Sequence, residues 1–182
     1  MEYPWYEMVN GPSLQQGDLF DRCPILIPQV TLPESVEVLE SVGREMHLDG
    51  EVQDFNVVVM SQSCDLVNDK LAHVMVCAHW SLEEIGQEND YLKSKRGKEA
   101  LRQGNIPGYH LLAACEVQGM VSAVRVVDFR TAFSLPLEVL KSLAQKRGQR
   151  LRLLPPYREH MAQAFARFFM RVGLPVDIPP FL

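Results

Sequence analysis

At 182 residues, with 47% hydrophobic and 23% charged side chains, the chain has the size and composition of one globular domain with a full core, which excludes a disordered or fibrous protein. No apolar run approaches the roughly 18 residues that span a bilayer, and the N-terminal MEYPWYEMVNGPS is acidic and aromatic where an export signal is basic and then apolar, so a cytoplasmic location is expected. The net charge of -5 is divided, with 17 acidic against 3 basic side chains through Asp90 and 15 basic against 6 acidic after it. Two readings are open: the halves neutralise each other on folding, or a basic face meets RNA or an acidic protein.

Residues 1–15 read as an N-terminal arm anchored by Trp5 and Tyr6 and broken at Gly11-Pro12. Gly17 to Ile27 follows as a strand or pair of short strands, with Asp18 at its start and Pro24 marking a bulge or sheet edge. A second extended segment and an exposed acidic stretch occupy Pro28 to Asp54, where Asp49-Gly50 signals a hairpin turn. Phe55 to Met60 is apolar enough for a strand buried on both faces, and Leu71 to Ala78 returns as a second strand. Together they predict a central hairpin whose turn holds Ser61, Gln62, Ser63, Cys64 and Asp65.

Ser81 with Glu84 three places on is a capping box, and the helical signal continues from Asp90 to Gln103 before Gly104 stops it. Pro107 to Ala114 and Ser122 to Phe129 read as further strands, Pro136 to Arg147 as a helix stopped by Gly148, and Arg150 to Leu154 as a strand or a connection. Pro156 to Val172 is an amphipathic helix whose stripe is Met161, Phe165, Phe168, Phe169 and Val172. Strands before helices give an α+β fold, a small antiparallel barrel or sheet with helices on one side. The expected organisation is an arm over 1–15, a β domain over 16–135 with a helical insertion at about 81–104, and a helical extension over 136–182 packed on it.

Taken in order, Gly17-Asp18, VVVMSQ, HVMVCA, VVDF and LPLEVLKSL resemble the PemK/MazF group of toxin-type proteins over about 16–144. The resemblance implies a small antiparallel SH3-like β-barrel and a role in a bacterial toxin–antitoxin, antiviral defence or stress-response system. Ribonucleases of that group carry an arginine-proline pair before the valine-rich strand, and the arginine acts at the scissile phosphate. Asp54-Phe55-Asn56 stands there instead, so a cation for the developing phosphoryl charge is missing. The implied function is a non-catalytic or regulatory binding protein acting through protein and RNA contacts, with a metal-independent endoribonuclease as the alternative.

The candidate catalytic residues are Ser61, Cys64, His110, Arg130 and Thr131, and the candidate binding residues are Gln62, Asp65, Tyr109, Asp128 and Arg130. A thiol nucleophile at Cys64 needs a base such as His73, His79 or His110; otherwise the Ser and Asp side chains simply satisfy their own turn. Asp128, Arg130 and Thr131 can present an arginine fork and a hydroxyl to a phosphate, or form an ion pair of little effect. Phe165, Phe168, Phe169, Arg158, Arg167 and Arg171 form a candidate partner interface, and Lys146, Arg147, Arg150 and Arg152 extend its basic character. The four cysteines show no C-x-x-C pair, and Cys77-x-His79 supplies only one of the two ligand pairs a structural zinc site uses. No disulfide, metal or cofactor is expected. The expected partners are another protein of the same system, RNA, or a second copy of the chain, and no membrane.

Overall fold

The computed structural model describes residues 3–29 and 49–170. Its elements, in chain order, are β1 (Tyr6–Val9), β2 (Leu19–Gln29), β3 (Asp49–Val59), α1 (Ser63–Val67), β4 (His73–Ser81), α2 (Leu82–Glu88), α3 (Asp90–Lys93), α4 (Lys95–Arg102), β5 (Tyr109–Leu112), β6 (Arg125–Pro136), α5 (Leu137–Arg147), β7 (Arg150–Leu153) and α6 (Tyr157–Phe169). The strands form a five-stranded antiparallel sheet in the order β2-β3-β4-β6-β5 and a two-stranded antiparallel sheet of β1 and β7. The fold is mixed α and β, and among the described residues the sheets do not close into a barrel.

Gly17 and Asp18 stitch the two sheets together. Gly17 N–H donates to Val59 O and Val59 N–H to Asp18 O on one side, while Leu153 N–H donates to Gly17 O on the other. Gly17 holds φ +86°, and a Cβ there would lie 3.0 Å from that of Leu153, so glycine serves both the turn and the close approach. The far edge is joined more sparingly, by the Tyr6 hydroxyl donating to Ala113 O at 2.7 Å.

The expected central strand is confirmed. Val57, Val58 and Val59 are fully buried, with Val57 and Val59 in one apolar cluster beneath α5 and Val58 in a second one beneath α6. Each buried valine contributes about 1.5–3 kcal/mol, so β3 supplies both core layers, as do its neighbours β2, with Phe20 in one and Leu19 in the other, and β4, with Val76 in one and Cys77 in the other. Pro24 lies on the edge strand β2, next to a register shift between Phe20 and Cys23, as its ring requires. Asp49-Gly50 is not a hairpin turn: both residues are in β3, paired with Gln29 and Pro28. The ladder continues past the turn signal, and residues 30–48 lie outside the described residues.

Further expectations gain detail. The turn after β3 is a short helix, α1, which buries Leu66. The helical insertion is α2 to α4, opened by the Ser81–Glu84 capping box with both reciprocal bonds formed. The arm over 1–15 contains β1, and Trp5 stacks on Tyr157 at 3.6 Å. The region from 136 onward is not only helical, because β7 pairs with β1 and all four of its residues are buried. Its alternation is of charge rather than exposure: Arg150 and Arg152 are buried on the Asp18 carboxylate, which corrects their reading as part of a basic surface. The four thiols are free, with Cys64 exposed and the other three buried. No helix among the described residues is long and apolar enough to cross a membrane.

Gly97 fixes the insertion. A Cβ on it would collide with the Tyr91 carbonyl oxygen, where α4 crosses the chain that ends α3. Gly97→Ala should therefore lower stability by about 1–3 kcal/mol and open residues 82–102 to early proteolysis. Urea unfolding together with limited trypsin digestion measures both, and a wild-type pattern refutes this close approach.

Candidate functional site

The sheet ends on β5, whose antiparallel register with β6 sets Tyr109 opposite Asp128 and His110 opposite Val127. Phe129 N–H donates to Gly108 O at 2.8 Å, which fixes the turn before β5 against β6. This register brings three of the expected binding residues together. The Arg130 guanidinium lies 4.4 Å above the Tyr109 ring and donates to the Tyr109 hydroxyl. It also forks onto Asp128, from Nε to Oδ1 at 2.8 Å and from Nη2 to Oδ2 at 2.6 Å. Asp128 is buried and Arg130 largely exposed, so the pair is half anchored rather than freely solvated. Hydrogen bonding to Asp128 holds the guanidinium above its already high ordinary pKa, so Arg130 remains a cation.

Two clefts meet at Tyr109. The first, about 390 Å³, is walled by Trp80, Tyr109, Asp128, Arg130 and Thr131 and rimmed by Glu84 and Glu88 of α2. The second, about 560 Å³, lies between β5 and α6 and is lined by His110, His160, Gln163, Arg167, Phe168 and Arg102. Phe168 and Arg130 approach from either cleft over Gly108, where a Cβ would meet them at 3.3 and 3.7 Å. His110 stacks at 6.2 Å on Phe129, and burial, with a further contribution from His160, lowers its pKa to about 4. It is therefore neutral at pH 7 and can accept a proton.

The polar cluster at the end of β3 lies elsewhere. Ser61 Oγ accepts from Met75 N–H at 2.9 Å and Ser63 Oγ accepts from Gln16 N–H at 3.1 Å, so both hydroxyls hold the chain around α1. Gln62 is exposed just before α1 and makes no side-chain cap. Cys64 is exposed beside Asp65, its Sγ 3.7 Å from the carboxylate, and Asp65 lies 4.0 Å from Lys70. Neither cleft includes Ser61 or Cys64. Of the three histidines considered as a base, His79 is buried opposite Val127, with neither ring nitrogen hydrogen-bonded. Among the described residues no three metal-ligating side chains converge.

On α6, Phe165 and Phe168 pack against Phe129 at 5.3 and 6.3 Å, while Phe169 is 61% exposed. Arg158 pairs with Glu159, Arg167 lines the second cleft, and Arg171 lies outside the described residues. His160, Gln163 and Arg102 were not singled out by sequence reasoning. The spacing of His160, Gln163 and Arg167 at i, i+3 and i+7 would have placed them on one face of the helix. No protein-family model, curated protein or solved structure matches the chain.

Proposed function

We propose that the chain is a binding protein of PemK/MazF-like build, its two sheets an opened form of the SH3-like barrel, serving in a bacterial toxin, defence or stress-response complex. Single-stranded RNA is its ligand at the paired clefts, and a protein of the same system contacts the exposed Phe169 and Met170 at the end of α6. The observation that carries the reading is the interleaving of rings and cations around Gly108: Tyr109 beneath Arg130 on one side, Phe168 beside Arg167 and His110 on the other. Bases stack on such rings while guanidinium groups follow the phosphates. Fluorescence anisotropy with a labelled single-stranded RNA tests it. Tyr109→Ala should weaken binding about fivefold or more, since base stacking contributes about 1–3 kcal/mol per base, and Arg167→Gln should flatten the salt dependence. Wild-type affinity in both variants would sink the reading.

A second reading, a metal-independent endoribonuclease, is favoured by one observation. His110 and His160 line the same cleft, and the first is neutral at pH 7 and so free to accept a proton, as a weak base because burial lowers its pKa to about 4. Arg130 and Thr131 lie in the adjoining cleft, whereas Ser61 does not. Incubating the RNA with the protein in a metal chelator separates the readings. Discrete fragments that vanish with His110→Asn establish cleavage; intact RNA leaves the binding reading.

A further inference from the structure

A cavity of about 290 Å³ opens between the start of β2, the loop at Gly119 to Val121 and the C-terminal end of α5. Three arginines line it, Arg125, Arg147 and Arg150, and each stands in a different condition. Arg150 is buried and fastened to Asp18, Gly11 O and Ser13 O. Arg147 is fixed by donating to the carbonyl oxygens of Asp21 and Arg22. Arg125, half-buried on β6, has no hydrogen-bond or ion-pair partner among the described residues. Its electrostatic neighbours inside the fold, Tyr6 and His79, are both kept neutral by burial and supply no counter-charge.

The charge around the cavity is unbalanced. Asp18 with Arg150 and Arg152 carries one net positive charge, Arg125 and Arg147 add two, and the exposed Asp21 on the rim removes one. The C-terminal dipole of α5, which ends at Arg147, supplies about half a negative charge. About one and a half positive charges remain, close to the roughly -1.5 to -2 of a phosphate monoester at pH 7 and beyond a single carboxylate. The walls Leu19, Phe20, Met120 and Leu151 are apolar, so an organic body fits beside the anion. The volume is at the small end of ligand cavities, roughly 300–1,000 Å³.

We propose that this cavity binds the phosphate monoester of a small molecule or of a nucleic-acid end, with Arg125 as its free anchor and Arg147 and Arg150 as pre-positioned cations. Guanidinium forks that are already immobilised lose little entropy when the anion arrives. The site is separate from the clefts at Tyr109 and stands without the RNA reading.

Isothermal titration of the full chain with uridine 5′-monophosphate, uridine, and a short RNA with and without a 5′-phosphate tests it. Saturable binding of the monophosphate but not of uridine is expected, weakened about tenfold or more by Arg125→Gln and unaffected by Tyr109→Ala. With the monophosphate inert, tighter binding of the 5′-phosphorylated RNA than of its unphosphorylated twin, a difference lost in Arg125→Gln, supports the same site with a chain end as its source. Uridine bound as tightly as the monophosphate, no binding of any probe, or monophosphate binding lost through Tyr109→Ala rather than Arg125→Gln overturns it. Should Arg125→Gln fail to fold by circular dichroism, Met120→Glu, which sets a carboxylate on the cavity wall, is expected to abolish the same binding; monophosphate affinity unchanged by it overturns the proposal.

Discussion

Asp18→Ala should cost about 3–5 kcal/mol of unfolding free energy. The Asp18 carboxylate is fully buried and accepts from Arg150 Nε at 2.9 Å, Arg152 Nη2 at 3.0 Å and Gln15 N–H at 3.1 Å. Both arginines are themselves nearly buried, and Arg150 also donates to Gly11 O and Ser13 O. Removing the carboxylate strands two guanidinium groups in low dielectric, and that desolvation dominates the loss. The damage should spread, because the backbone of Asp18 is also what ties β3 to β7. Asp18→Asn should be nearly as costly, since it keeps the shape but not the charge. Replacing all three residues by Leu, Met and Leu should restore most of the stability, because a well-packed apolar set needs no pairing. Urea unfolding at low and high salt measures the series. A loss below about 1 kcal/mol for Asp18→Ala, or a strong salt dependence, would mean that water reaches the triad.

That triad also shows where sequence reading stops. Arg150 and Arg152 read as part of a basic run because charge is naturally compared with its neighbours along the chain, and their partner lies 132 and 134 residues earlier. Asp18 was visible as the start of a strand and as half of the Gly17-Asp18 pair, not as the partner of either arginine. The same distance hid β1, a four-residue strand whose partner β7 comes almost at the end of the described chain. Local signals fared better. The run Val57–Val59 announced burial on both faces, and the Ser81–Glu84 box and Gly148 marked helix ends through bonds made within a few residues. In β6 the strand continues through Arg130 to Pro136, where exposed residues alternate with half-buried ones and the buried Leu135, without the β-branched signal that marks its first half.

The candidate site was half legible for related reasons. Tyr109, Asp128, Arg130 and Thr131 were chosen for their chemistry, and a single register, Tyr109 opposite Asp128, made neighbours of them. Ser61 and Cys64 had equally suggestive chemistry. Their hydroxyl and thiol neighbourhood turned out to be the start of α1, where Ser61 and Ser63 hold backbone N–H groups. Small polar residues after a buried strand serve a helix start as readily as a ligand, and only the third dimension separates the two.

Lowering the pH from 7.5 to 5 should destabilise the fold through His79. The imidazole is 2% exposed, neither nitrogen has a hydrogen-bond partner, and burial, reinforced by the nearby Arg125, lowers its pKa to about 3. In the unfolded chain the same group titrates near 6.5. The unfolded state therefore binds the extra proton first, so stability is intact above pH 6.5 and declines as pH falls towards 3. At pH 5 the loss is about 2 kcal/mol from this one group. His110, lowered to about 4, contributes in the same direction over a narrower window. His79→Phe keeps the volume, removes two unsatisfied nitrogens and should hold or raise stability at pH 7.5 while flattening the acid limb. Guanidinium unfolding at pH 7.5, 6 and 5 for both proteins decides it. Parallel curves would mean that His79 finds a proton acceptor or water on folding; converging curves at high pH that separate below 6.5 establish it as the buried base that limits acid stability.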